Sequence, residues 1–268
     1  MRSARGGHWL ARALSAALVV HLLSACQIAP ATATPKPVFT PTATVMIPLA
    51  TLLPPLPAQP TATPTLEPPV SPTPALPAQV ADLVLEEDFT SNERGWPLHA
   101  TPAGTIALSG GQLAFALKEP IASLATLLPI AVPDDGYVAV TALTLLCDAP
   151  KNEFGVVLRA ERDRQYRIGF ACDGSVRFER YLGPGLEGAS AWQPTPSLLP
   201  GAPGENRIAV VFRDSQFTAY ANGTAVLSYT EPLIEAGQIG LFARTERSSL
   251  LTVAFDNLEV RSLAATAP

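Results

Sequence analysis

The sequence predicts an all-β domain, built as a two-sheet antiparallel sandwich of jelly-roll type. Three observations carry this. From Leu83 onward, short alternating or apolar runs recur at near-regular spacing. Turn signals separate them: Ser109-Gly110-Gly111, Pro133-Asp134-Asp135-Gly136, Asp173-Gly174 and Asn222-Gly223, and Asn-Gly and Asp-Gly favour the left-handed angles of two-residue hairpins. No stretch after Gln79 sustains a helical period with caps.

The segments before this domain are of another kind. Arg2, Arg5 and Arg12 form a basic head, followed by an apolar run from Leu14 to Leu23 interrupted only by Ser15 and His21. That pattern predicts a secretory signal over residues 1–25, too short for a comfortable membrane-spanning helix. Its end, Leu23-Ser24-Ala25-Cys26, resembles the lipobox of bacterial lipoproteins. The resemblance implies that Cys26 carries diacylglycerol and anchors the chain to the outer face of the cell membrane, where two or three acyl chains hold a protein stably. The alternative is an ordinary secretory signal with a chance cysteine.

Residues 26–80 form a spacer. Of the 28 prolines, 15 lie between Cys26 and Gln79. At this density proline removes backbone donors and fixes φ, so neither helix nor sheet propagates. A disordered, extended Pro/Thr-rich linker is expected, rising about 3.1 Å per residue where it is polyproline II. Val45–Leu53 is its one apolar stretch, either greasy linker or a docking segment.

The domain is expected over residues 81–263, with a short disordered tail at 264–268. Of 18 Lys and Arg and 23 Asp and Glu, four bases (Arg2, Arg5, Arg12, Lys36) and one acid (Glu67) precede Gln79, leaving 14 against 22. So acidic a domain argues against nucleic acid as a partner, because neutralising phosphates requires a basic surface.

Candidate strands run Leu83–Phe89, Gly104–Leu108, Gln112–Leu117, Ala122–Leu127 and Tyr137–Leu146. A meander follows: Phe154–Ala160, Tyr166–Ala171 and Val176–Tyr181. Alternation puts Phe154, Val156, Leu158, Tyr166, Ile168, Phe170, Val176 and Phe178 on its core face. Arg159, Arg167, Arg177, Glu179 and Tyr181 then share the opposite face, the candidate binding surface if it is concave. Between Tyr181 and Arg207 glycines and prolines mark a long irregular loop carrying Trp192, placed either to stack on a ligand or to pin the loop. Arg207–Arg213, Gln216–Ala221, Ala225–Tyr229, Gly237–Ala243 and Leu250–Val260 complete the set.

Several segments together resemble concanavalin A-like (laminin G/glucanase-type) jelly-roll domains of bacterial surfaces: Glu87-Asp88-Phe89 with Gly95-Trp96, Tyr166–Phe170, Phe217–Gly223, Gly237–Phe242 and Val253–Leu258. The resemblance implies two curved sheets with first and last strands side by side, and a concave face that often binds saccharide. It implies no single activity, since such folds host lectins, hydrolases and spacers.

The chemistry-bearing residues narrow the choice. Cys147 and Cys172 are an even pair expected outside the cell, and a disulfide is favoured over two buried thiols. No third ligand sits beside them to suggest zinc. His99 is the one histidine beyond the signal, expected in a loop after Trp96, and no G-x-S-x-G elbow is present. The nearest match to the E-x-D-x-E of retaining glycosidases, Glu161-Arg162-Asp163-Arg164-Gln165, ends in Gln and falls on a predicted turn, where two carboxyls do not converge at about 5 Å. Asp88, Asp256 and Asn257 would meet if the end strands pair. Their oxygens suit structural Ca²⁺, while hydrogen-bond acceptors at a strand end are the alternative. No cofactor is called for. A monomeric, non-catalytic cell-surface module for carbohydrate is the expectation; a glycan-acting hydrolase (3-keto-disaccharide hydrolase-like) or a protein-binding scaffold are its rivals.

Overall fold

The computed structural model describes residues 77–247 and 250–265. In chain order the strands are β1 (Val80–Glu87), β2 (His99–Thr101), β3 (Gly104–Ser109), β4 (Gln112–Leu117), β5 (Ser123–Leu127), β6 (Gly136–Cys147), β7 (Glu153–Glu161) and β8 (Arg164–Ala171). They continue as β9 (Ser175–Leu182), β10 (Leu186–Ala189), β11 (Gln193–Pro194), β12 (Gly204–Arg213), β13 (Gln216–Ala221), β14 (Thr224–Thr230), β15 (Gln238–Arg244) and β16 (Leu251–Leu263). The signal, Cys26 and nearly all of the linker lie outside the described residues.

Two antiparallel sheets face each other. The first runs β14-β13-β12-β6-β16-β4-β3-β2, and the second β10-β9-β8-β7-β15-β5, with β11 also on β9. Strand β16 holds the first sheet together because one of its edges serves two partners in turn. Leu251–Phe255 pairs with β4, and Leu258–Leu263 pairs with β1, while the other edge follows β6. First and last strands therefore lie side by side, as the family resemblance implied.

The two-residue turns obey their chemistry. Gly110-Gly111 joins Ser109 to Gln112, and Asn222-Gly223 joins Ala221 to Thr224, all four with positive φ. Mirror-image turns match the twist of the flanking strands, which is why these dipeptides read correctly from sequence.

The core lies between the sheets and is aromatic. Phe154 of the second sheet meets Phe255 of the first at 6.4 Å, and Phe255 meets Phe115 edge-on at 5.4 Å. Tyr166 and Phe178 of the second sheet pack on Phe217 at 5.2 and 5.4 Å, and Phe178 stacks on Tyr229 at 4.2 Å. Each such pair contributes about 0.5–1.5 kcal/mol beyond the burial of its rings. Every residue expected on the core face of the β7–β9 meander is buried. Trp96 is also core, its ring tilted against Phe89 at 5.6 Å and its indole N–H donating to Glu87 Oε2 at 3.2 Å.

Three features depart from expectation. Residues 183–203 are not wholly irregular, since β10 and β11 pair with successive parts of β9. Their short, proline- and glycine-bearing sequences hide them. His99 belongs to β2 and not to a loop. Arg159 is not on the outer face. The β7–β8 register slips between Leu158 and Glu161, and Arg159 has φ of 50°. This bulge turns its side chain over the Phe217 ring, where it donates to the Ile234 carbonyl at 3.0 Å and to Asp135 at 3.2 Å.

Candidate functional site

The outer face of the second sheet collects the polar residues. Register places Arg167 of β8 opposite Glu179 of β9, and Gly169 opposite Arg177. On the other side of β8, Gly155 of β7 faces Gly169, and Phe242 of β15 faces Gly155. Arg244 of β15 lies opposite Glu153 of β7 and Ser123 of β5. Thus Arg167, Arg177, Glu179 and Tyr181 do share a face, joined by Glu153 and Arg244.

These side chains form one buried ionic network. Arg177 Nη2 contacts Glu153 Oε1 at 3.0 Å and Glu179 Oε1 at 2.5 Å. Arg244 Nη2 contacts the same two carboxylates, reaching Glu179 Oε1 at 2.6 Å, and its Nη1 donates to the Tyr181 hydroxyl at 2.8 Å. Tyr181 in turn donates to Glu179 Oε2 at 3.3 Å. Arg167 lies over the Tyr181 and Phe242 rings at 4.4 and 4.8 Å and donates to Ser123 Oγ. Both carboxylates are fully buried.

Two strand-interior glycines make room for this network. A Cβ on Gly169 would stand 2.3 Å from Glu153 Oε2, so the Glu153 side chain occupies the space a side chain there would take. Gly155 clears the floor under Phe242, whose ring comes within 3.1 Å of the position its Cβ would have. Glycine inside a strand commonly marks such a close approach.

Burial and charge pull the carboxylates in opposite directions. Desolvation is the larger effect and raises Glu153 to about 7, against the lowering field of Arg177 and Arg167. Glu179 is likewise raised by desolvation, and then by the charge of Glu153. Glu153 Oε2 is buried without a hydrogen-bond partner, so the neutral acid is the cheaper form there. The pair therefore keeps a proton to higher pH than in the unfolded chain, where ordinary carboxyls lose it near pH 4.5. The folded state then binds more protons between these limits, and its stability falls as pH rises through about 7. Thermal melts are expected to show a loss of about 2 kcal/mol between pH 5 and pH 8, a change that Glu153→Gln reduces and that the double variant Glu153→Gln, Glu179→Gln removes.

A groove of about 340 Å³ opens beside the network. Its floor carries Arg177 and Arg244, and its rim Lys151, Trp192, Leu186 and Ile121. Trp192 lies against the Arg177 guanidinium at 4.1 Å and the Lys151 ammonium at 4.7 Å, which fastens the 183–203 segment onto the sheet. Lys151 is itself held by Asp173 and Ser175.

Ile121 is the strained member of the rim. It is a β-branched residue at φ of 58° with 81% of its surface exposed, and its N–H donates to the Glu246 carbonyl at 2.7 Å. That region costs an L-residue about 1–2 kcal/mol, and Asn tolerates it better. Ile121→Asn is accordingly expected to raise stability by about 1 kcal/mol, a gain of roughly 2–4 °C in a thermal melt.

Around the groove, the Cys147–Cys172 disulfide joins the end of β6 to the residue after β8. A link of this loop length contributes about 3 kcal/mol. Buried Asn152 bonds Asp148, the Leu250 carbonyl and the Glu246 N–H, which fixes the segment after β15 beside the start of β7.

The other sequence candidates lie elsewhere. Glu161, Arg162 and Asp163 are exposed at the β7–β8 turn, away from the carboxylate pair. Asp88 accepts from the Thr90 N–H and hydroxyl, which hold its carboxyl below the usual range, and Asp256 accepts from the Asn257 N–H at 2.7 Å. Among the described residues no three His, Cys, Asp or Glu side chains gather as metal ligands. Glu153, Arg244 and Ile121 escaped sequence reasoning. Glycines 155 and 169 within alternating strands were the one local signal that a side chain crosses there.

No family model matches the chain, and no curated protein matches it in sequence. Solved structures do match in fold. The chain is similar to the carbohydrate binding module CBM66 from Bacillus subtilis, at 15% identity and a TM-score of 0.51, covering 65% of this chain and 99% of that one. A Bacillus subtilis protein of unknown function with galectin-like fold gives 12% identity and a TM-score of 0.55, covering 70% and 99%. The catalytic domain of an endo-1,3-beta-glucanase (laminarinase) from Thermotoga petrophila gives 9% and 0.51, covering 70% and 100%. The fold is thus the jelly-roll sandwich of carbohydrate-binding and glucanase domains.

Proposed function

We propose that this chain is a non-catalytic carbohydrate-binding module, held at the bacterial cell surface by a lipid on Cys26 and a Pro/Thr-rich spacer. The observation that carries the binding reading is the groove, where planar guanidinium edges of Arg177 and Arg244 lie beside Trp192 and the exposed apolar side chains of Ile121 and Leu186. Planar donors next to apolar surface are the chemistry that recognises a sugar's hydroxyls and its C–H face. The fold leaves the choice open, since both a binding module and a glucanase domain share it.

A hydrolase is the second reading, and one observation favours it: a carboxyl pair that retains a proton toward neutral pH is what an acid catalyst needs. Against it, Glu153 and Glu179 are wholly buried beneath the two arginines, which engage the Oε1 atom of each. A glycosidase needs both carboxyls facing the scissile bond.

A glycan array probed with the chain from residue 27 onward tests the proposal. Saturable binding without turnover of the bound polysaccharide supports it. Release of labelled sugar favours the hydrolase, and binding to no sugar leaves the protein-binding reading ahead. For the anchor, palmitate labelling is expected in the wild type and absent in Cys26→Ser; labelling that persists refutes it.

A further inference from the structure

Resting on the carbohydrate-binding reading, we infer that the groove takes an acidic saccharide, its carboxylate set against Arg177 and Arg244 and its apolar face against Ile121 and Leu186. The charge of the groove is the first ground. The chain carries a formal −5, yet Lys151, Arg177, Arg244 and Arg247 converge on this one cleft, with Glu246 the acid on its lining. Arg177 and Arg244 are explained by the carboxylate pair beneath them. Lys151 is likewise held, by Asp173, Ser175 and Trp192, whereas Arg247 is exposed at the rim. Arg247, a cation beyond what the fold uses, joins the two partly exposed guanidinium groups in a local field that draws an anion to an otherwise repelling surface.

Geometry supplies the second ground. Arg177 and Arg244 remain 16% and 19% exposed while their Nη2 atoms point inward to the glutamates. The guanidinium fork has five donors, so each has edges left for a planar oxyanion. The Arg177 Nε is buried without a partner in this arrangement. Ile121 gives the third ground. An isoleucine side chain exposed on the rim from a left-handed backbone is a cost to the fold, and strain of this sort gathers at ligand sites.

The test is an array bearing uronic acid, sialic acid, sulfated and neutral glycans, together with carboxyl-reduced forms of the acidic ones, probed with the full chain. Carboxylated glycans are expected to bind, and reduction of their carboxyls to weaken binding at least tenfold; the uronic and sialic arms identify which acid is preferred. Because Arg177→Ala and Arg244→Ala disturb a buried network, two rim variants serve as controls that fold. Arg247→Glu should weaken binding about five- to tenfold, and more so at low salt. Ile121→Asn should weaken it several-fold while the protein melts higher than the wild type. Equal binding of neutral or carboxyl-reduced glycans, or preference for sulfated ones, overturns the inference of a carboxylated saccharide and leaves carbohydrate binding standing. Binding to no glycan on the array overturns both.

Discussion

Replacing Gly155 by alanine is expected to lower the melting temperature by about 10 °C, a loss of roughly 3–5 kcal/mol. Gly155 sits in the middle of the second sheet, between Gly169 of β8 and Phe242 of β15. A Cβ there would stand 2.0 Å from the Ile168 carbonyl oxygen and 3.1 Å from the Phe242 ring. The first obstacle is backbone, so relief requires β8 to move away from β7 and with it the Arg167–Glu179 pairing. Overpacking of well-packed interiors ordinarily costs about 1–3 kcal/mol; a clash with main chain in a central strand belongs above that range. A melt unchanged within about 2 °C would mean that the glycine floor is not needed.

Removing Glu179 should cost nearly as much. Its carboxylate accepts from Arg177, Arg244 and Tyr181, and all of these are largely enclosed. Glu179→Ala strands two guanidinium groups with Glu153 alone, and breaking a buried pair from one side costs about 3–5 kcal/mol. Glu179→Gln keeps the shape and should lose less. Glu161→Ala, at the exposed turn, should stay within about 0.5 kcal/mol of the wild type. Urea melts of the three variants check this ordering. Equal effects of Glu161→Ala and Glu179→Ala would contradict the network's role.

The fold was legible because its signals are local. Alternation in β7–β9 separates Phe154, Val156 and Leu158 from the outer residues without knowledge of any partner strand. Asn222-Gly223 and Gly110-Gly111 name their own turns. The site was legible only in part. Arg167, Arg177, Glu179 and Tyr181 lie on adjacent strands of one meander, so period-two counting finds them together. Arg244 is 65 residues beyond Glu179, and only the insertion of β15 beside β7 brings it in. Glu153 stands at the first position of β7, where alternation assigns a residue to a face but does not show how far its side chain reaches. Arg159 failed for a different reason. A single bulge shifts the alternation of every residue after it, and nothing in Leu158-Arg159-Ala160 announces one.

The network also explains why acidic residues at the candidate site need not be catalytic. Carboxylates that bind guanidinium groups on the inner side set the outward orientation of those groups. In the proposed binding mode Glu153 and Glu179 position the groove, and the arginines are what a ligand would meet.

The central claim is that the outer face of the second sheet, at the Trp192 groove, is where saccharide binds. Trp96 is buried in the core, so a ligand at the surface perturbs Trp192 and not Trp96. The most direct measurement titrates the tightest array ligand into the protein while following tryptophan emission, with calorimetry in parallel. A saturable emission change at the calorimetric midpoint, absent in Trp192→Phe, is the predicted result. Calorimetric binding that leaves Trp192 emission unchanged would contradict the claim and place the ligand elsewhere.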